Sequence, residues 1–285
     1  MTSAVILQDR GVLSVSGTDW RDFLQNLVSN DLDNLSPDQA VYAALLTPQG
    51  KYLFDFIMLE TDDGVLLDTG AERLPDLLRR LMMYKLRADV LLADASDDWQ
   101  VAALYDTGTD VPPVDGVTER EGALIYSDPR EAALGQRALL PRGMSLADIG
   151  CEAGDLDAYE NRRVALAVPN GTVDLIVDKT LLMEANFERL NGVSFTKGCY
   201  IGQELTARTK HRGNVRRRLY PVSIDTDVQP GTPVTLEGKP IGDVRSVAGH
   251  RAIAMLRIED VNRAAEEGLL MVAGSGGLKV EHPVS

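Results

Sequence analysis

The stretch after Arg218 limits the fold most tightly. Residues 219–224, 233–236, 241–247 and 252–258 are short apolar runs separated by glycine- and proline-bearing segments, and 271–280 adds a further hairpin. Apolar runs this short and this often interrupted read as strands of a small barrel or sandwich of about 70 residues. Gly274-Ser275-Gly276-Gly277 has no Lys-Ser/Thr after it, so it reads as a hairpin turn and not as a phosphate loop. The predicted organisation is an α+β region over residues 1–212 followed by a C-terminal β-barrel over 213–285.

The upstream region alternates short strands with amphipathic helices. Residues 11–15 read as a strand, and Thr18 can cap a helix whose stripe is Trp20, Phe23, Leu24, Leu27 and Val28. Residues 40–46 and 52–60 are two strands joined by the turn Thr47-Pro48-Gln49-Gly50-Lys51. Leu74, Leu77, Leu78, Leu81 and Met82 mark a second helix, with a strand at 90–92 after it. Residues 99–105 and 123–126 read as strands on either side of a loop, 107–122, rich in Gly, Pro, Asp and Thr. Residues 155–166 read as a helix, and 170–197 as an ordered but irregular segment.

Charge narrows the classes of partner. Lys and Arg number 29 against 43 Asp and Glu, a net −14, which excludes a uniformly basic coat for nucleic acid. No run approaches the roughly eighteen apolar residues of a membrane span, so neither nucleic acid nor membrane is an expected partner. Two cysteines, Cys151 and Cys199, make no disulfide scaffold and cannot hold an iron–sulfur cluster alone. His211, His250 and His282 are scattered. The first residues lack a basic n-region and an apolar h-region, so a cytoplasmic location is expected.

Residues 197–204, Lys-Gly-Cys-Tyr-Ile-Gly-Gln-Glu, are the most unusual stretch. Gly198 and Gly202 let another chain or a ligand approach closely, and Lys197 two residues from Cys199 would favour a thiolate. Gln203 donates and accepts in one plane, and Glu204 accepts. The plainer reading is a turn into a helix with Cys199 as a small buried apolar residue. Residues 196–218 also carry Lys197, Arg208, Lys210, Arg212, Arg216, Arg217 and Arg218 against Glu204 alone, a local +6 on an acidic chain. This strip reads either as an anion site or as arginines paired with acids across the domain junction.

Residues 191–208, reading NGVSFTKGCYIGQELTAR, closely resemble the signature of the YgfZ/Iba57 family. Residues 17–31, 47–55 and 84–90 carry supporting pieces, and the Iba57 branch is the nearer one. These are folate-binding relatives of the glycine cleavage T-protein that help mature or maintain iron–sulfur enzymes. The resemblance implies an α+β fold of T-protein-like lobes in a ring-like arrangement, closed by the C-terminal β-barrel. It also implies a bound tetrahydrofolate, polyglutamylated, with Lys197, Gly198, Tyr200, Gly202, Gln203, Glu204, Arg208, Glu184, Asn186 and Asp55 as folate or anion contacts. Cys199 is expected to be the key thiol and a cluster ligand shared with an A-type iron–sulfur carrier, with no metal expected to be held by the chain alone. A monomer is expected.

Two departures bear on activity. T-protein enzymes carry an Asp-Asp pair after a Gly-Gly turn, where this chain has Phe54 then Asp55. YgfZ proteins place a tryptophan at the first strand, where this chain has Arg10. The expected function is therefore an accessory role in iron–sulfur enzyme assembly or repair without classical turnover. A folate-dependent aminomethyl or one-carbon transferase, and an interaction module without folate, are the alternatives.

Overall fold

Strand pairing organises nearly the whole chain. The computed structural model describes residues 2–105, 116–213 and 215–282. In chain order the elements are β1 (Ser3–Ile6), β2 (Arg10–Ser16), α1 (Trp20–Gln25), β3 (Val41–Leu46), β4 (Tyr52–Thr61), β5 (Gly64–Gly70), α2 (Leu74–Lys85), β6 (Leu91–Asp94) and β7 (Trp99–Tyr105). There follow β8 (Val117–Arg120), β9 (Ala123–Ser127), β10 (Gln136–Pro141), β11 (Glu152–Ala153), α3 (Leu156–Ala165), α4 (Gly171–Asp174) and α5 (Gln203–Arg212). The last group is β12 (Arg217–Ile224), β13 (Pro233–Leu236), β14 (Lys239–Ala248), β15 (Arg251–Arg257), α6 (Ile258–Glu267), β16 (Met271–Ala273) and β17 (Gly276–Val280).

Two sheets and a barrel result. The first sheet runs β3-β4-β5-β2-β6 and the second β11-β1-β7-β10-β9-β8. Every residue of β3 and β5 is buried, because the first sheet is covered on both faces. One face meets α1 and α2 through Leu24, Leu74, Leu77 and Leu81, packed with Leu13, Phe56 and Leu67. The other meets the second sheet, with Val12, Ile57 and Leu59 in one core with Val101, Ala103 and Leu139. Packing of sheet on sheet buries the alternate residues of both.

The barrel closes in the order β12-β15-β14-β13-β16-β17, with β17 returning to β12. The α6 helix caps it with buried Val261 and Ala264. Polar contacts tie the barrel to the preceding region. Leu219 donates its N–H to the Glu184 carbonyl at 3.0 Å, and Arg163 Nη2 donates to Ser246 Oγ at 2.9 Å. Ser246 Oγ in turn donates to Asp174 Oδ1 at 2.7 Å.

The architecture is the expected α+β with a C-terminal barrel, and it differs from the sequence reading in detail. The first helix stops at Gln25, short of Leu27 and Val28. Thr18 does not cap it; its hydroxyl donates to Asp89 across the turn. Residues 117–120 form a strand where a loop was expected, since they pair with β9. Residues 107–115 of that expected loop lie outside the described residues. The sequence reading also left β5, β10 and α6 unassigned.

Candidate functional site

Two glycines meet at the base of the signature segment. Gly50 ends the turn after β3 with φ +73°, and Gly202 precedes α5 with φ +85°. A Cβ on Gly202 would lie 2.5 Å from the Thr47 carbonyl oxygen, and one on Gly50 would lie 2.8 Å from the Gly202 carbonyl oxygen. Neither position can take a side chain without moving backbone, so the turn and the start of α5 fit together only as glycines.

Upstream of this contact, Lys197 turns inward. Its Nζ donates to the carbonyls of Gln25, Val28 and Asn30 at 2.7, 2.9 and 2.7 Å. Those carbonyls belong to the end of α1 and the turn after it, and the lysine supplies the donors that ending a helix leaves missing. Burial pushes the Lys197 ammonium down to about 8, with Asp31 and Asp33 opposing that shift. The expectation that Lys197 serves an anion, or sits as a cation beside the Cys199 thiol, is corrected: its three donors are spent on backbone.

The same segment is tied down from both sides. Ser29 Oγ donates to the Gly192 carbonyl at 2.6 Å, and Asn30 Nδ2 donates to the Asn191 carbonyl at 2.7 Å. Between these anchors and α5, Gly198 and Cys199 are exposed, and space beside Gly198 is open. The plainer reading was right about the turn into a helix and wrong about burial, because the thiol faces solvent. Tyr200 is buried, and burial pushes its hydroxyl up to about 12. Gln203 and Glu204 lie in the first turn of α5, and Glu204 and Arg208 are exposed.

The first half of the signature lines a cleft of about 740 Å³. Asn191, Val193, Ser194 and Phe195 line it together with Asn30, Tyr42, Tyr126 and Asp128. Tyr42 stacks on Phe187 at 5.0 Å between ring centroids. The Tyr126 hydroxyl is buried without a hydrogen-bond partner of good geometry, close to the charges of Asp68, Arg137 and Asp128. The acid Glu188, also on the wall, pairs with Lys210 of α5, whose Nζ lies 5.5 Å from the centre of the Phe195 ring.

None of the ten expected folate contacts lines that cleft, and Asp55, Glu184 and Asn186 are engaged elsewhere. Asp55 is buried behind Tyr42, accepting from Tyr52 Oη at 2.6 Å and Tyr42 Oη at 3.0 Å. Burial next to this carboxylate raises both tyrosines well above their usual range. Glu184 and Asn186 face the barrel: the Glu184 carbonyl accepts from Leu219, and Asn186 Nδ2 donates to the Leu219 carbonyl at 2.9 Å. Asn186 Oδ1 is buried without a partner. Phe54 is buried in the first core under the Arg73 guanidinium, 4.8 Å away.

Sequence reasoning missed a buried chain of charges between the sheets. Arg10 Nε meets Asp68 Oδ1 at 2.6 Å, and Arg137 Nη2 meets Asp68 Oδ2 at 2.6 Å. Arg137 Nη1 lies 3.8 Å from Asp128, which pairs with Arg130 at 2.6 Å. Arg10 thus stands in β2 as an ion-pair partner. The two arginines beside Asp68 hold its carboxyl below the usual range against burial, and Arg130 does the same for Asp128. Arg10, Arg130, Arg137 and Arg163 also line a smaller cavity of about 150 Å³. The one sequence signal was Arg10 itself, an arginine at the head of an apolar strand.

Comparison with known proteins fits this geometry. Residues 216–284 match the family model of the CAF17 C-terminal beta-barrel domain. The mouse mitochondrial iron–sulfur cluster assembly factor IBA57 is 35% identical over 286 residues, covering 90% of this chain and 77% of that protein. The human protein is 34% identical over 296 residues, covering 96% and 81%. The crystal structure of glycine cleavage system aminomethyltransferase T from Bartonella henselae aligns with a TM-score of 0.77, covering 99% of this chain and 85% of that one. Its 16% identity shows the fold alone. These relatives also correct the cytoplasmic expectation, since they are named as mitochondrial. Lack of a secretory pattern does not separate one reducing compartment from another. With a third of its residues shared along nine-tenths of its length, the chain belongs to the IBA57 family of iron–sulfur cluster assembly factors.

Proposed function

We propose that this protein is a reduced-folate-binding accessory factor that lends Cys199 to a cluster shared with an A-type carrier, for assembly or repair of iron–sulfur enzymes. The observation that carries the reading is the exposed Cys199 between two fixed points, the Lys197 anchor and the Gly202 contact. A thiol held this way needs no rearrangement to meet a partner. One thiol cannot satisfy the irons of a cluster, so the remaining ligands come from the partner.

A reduced folate suits the cleft in size and chemistry. Ligand pockets commonly measure about 300–1,000 Å³, and this one holds Tyr42, Tyr126, Asn30, Asn191 and Asp128 for a flat ring with donors and acceptors on its edge. The smaller arginine-lined cavity falls below that range. Carboxylates of a glutamate tail would compete with Glu188 for Lys210. Aminomethyl transfer is disfavoured by Phe54 in the core and by an Asp55 whose two oxygens are already engaged.

A deletion strain assayed for several iron–sulfur enzymes tests the reading. Wild type should restore activity and Cys199→Ser should not, with equal protein levels. Full rescue by Cys199→Ser would remove the thiol from the function.

A further inference from the structure

We infer that the C-terminal end of α2, together with the start of β6, is a docking surface for an anionic phospholipid bilayer. The observations are independent of the cleft and of Cys199. Met82, Met83, Leu86 and Leu91 are 57%, 64%, 88% and 64% exposed, on a chain whose other large apolar side chains are mostly buried. Leu86 ends the helix with φ +47° and ψ −105°, a positive-φ conformation that a leucine adopts only at a cost, and its side chain is exposed there. Neighbouring exposed apolar side chains of this kind mark a contact surface.

The charges around them name the occupant. Residues 79–87 carry Arg79, Arg80, Lys85 and Arg87 and no acid, on a chain of net −14. Arg79 pairs with Asp76 at 3.1 Å, and Arg80 lies over the Tyr84 ring at 5.6 Å. The nearby Asp89 carboxylate accepts from Thr18. The half-buried Lys85 and the exposed Arg87 are the cations that the patch presents beside its flexible apolar side chains, with the exposed Asp94 three residues beyond Leu91 as the other acid nearby. They stand on a helix end and on an edge strand of the first sheet. A folded partner reads shape, whereas an anionic bilayer needs apolar depth and opposite charge. Met, Leu, Arg and Lys at such a site meet both needs. The buried side of α2, Leu74, Leu77 and Leu81, stays in the protein core, so docking requires no unfolding. The sequence reading excluded a membrane partner because no segment spans; a peripheral contact of this kind needs no span.

The test is flotation of the full chain with vesicles of phosphatidylcholine alone or of phosphatidylcholine with phosphatidylglycerol. Wild type should float with the anionic vesicles only, and less so as salt is raised. Met83→Ser with Leu86→Ser, and separately Lys85→Glu with Arg87→Glu, should each lower the bound fraction about tenfold. Both pairs should melt like wild type, because they leave the buried face of α2 intact. No binding to anionic vesicles, or binding unchanged in both variants, would overturn the inference. So would self-association, or capture of an acidic protein, that the same variants abolish while wild type ignores vesicles.

Discussion

Lys197 Nζ lies 2.7 Å from the carbonyl oxygen of Gln25, the last residue of α1. Through this contact and two more carbonyls, the signature segment fixes a helix about 170 residues away in the chain. Lys197→Met keeps the stem and removes the donors. It should cost about 3 kcal/mol, because buried carbonyls are left without partners.

The pH dependence of that cost has a definite sign. Burial lowers the Lys197 value to about 8 from an ordinary 10.5. Between those values the unfolded chain holds this proton and the folded protein does not, so stability from this group rises with pH. Below about 8 the ammonium is charged in both states, and its burial is a constant cost. Urea denaturation at about pH 7 and about pH 10 should show wild type gaining on Lys197→Met. An unchanged difference would mean that the lysine is solvated in the folded state.

Asp68 carries a different expectation. It is fully buried between Arg10 and Arg137, so Asp68→Ala removes the carboxylate that both guanidinium groups pair with and leaves Arg137 only the longer contact to Asp128. The expected loss is about 3–5 kcal/mol. The folded carboxyl titrates below its ordinary 3.8, so its stabilising contribution is complete above that value and disappears as pH falls through the folded one. Acid denaturation followed by circular dichroism should show a shallower acid limb in Asp68→Asn than in wild type. Identical limbs would remove Asp68 from the acid transition.

The strands of the barrel and the turn into α5 were legible in the sequence because local pattern dictates them. The apolar runs after Arg218 are short and interrupted by Gly and Pro, and Gly202 lies where the chain must turn before α5. The Arg10–Asp68–Arg137 chain was not legible, since its members lie 58 and 69 residues apart and nothing local says that these charges are inside. The Lys197 anchor was misread for the same reason: the sequence puts it two residues from Cys199, while the fold aims it at α1. The α6 helix was overlooked between strands although Ile258, Val261 and Ala264 follow a helical stripe. Register between β12 and its neighbours, like every non-local pairing, emerged only with the fold.

Folate binding is expected to favour polyglutamyl forms of tetrahydrofolate and to weaken with salt. Lys210→Ala should narrow the preference for polyglutamate, and Tyr126→Phe should lower affinity for all forms by about three- to tenfold, the worth of one hydrogen bond. Calorimetric titration with mono- and polyglutamyl tetrahydrofolate reads both effects. Heat from neither form would remove folate from the account and leave the thiol to stand alone.

Aminomethyl transfer should be absent. Phe54 packs in the core where the T-protein enzymes keep a carboxylate, and a general acid or base is commonly worth about 10²- to 10⁴-fold in rate. Asp55 accepts from two tyrosines that stay protonated throughout the physiological range. Incubation with an aminomethyl-loaded carrier protein and tetrahydrofolate should form no methylenetetrahydrofolate above background. Formation at the rate of a T-protein would restore the transferase reading.

The central claim is that Cys199 completes a cluster with a partner's cysteines. Cys151 is its control, a buried thiol in the outer core of the second sheet, pushed up by burial. The direct measurement is anaerobic reconstitution of this protein with an A-type carrier, iron and sulfide, followed by size-exclusion chromatography with absorbance of the cluster. Wild type and Cys151→Ser should elute with the carrier as a cluster-bearing complex, and Cys199→Ser should melt like wild type and leave the carrier alone. A cluster-bearing complex formed equally well by Cys199→Ser would contradict the account.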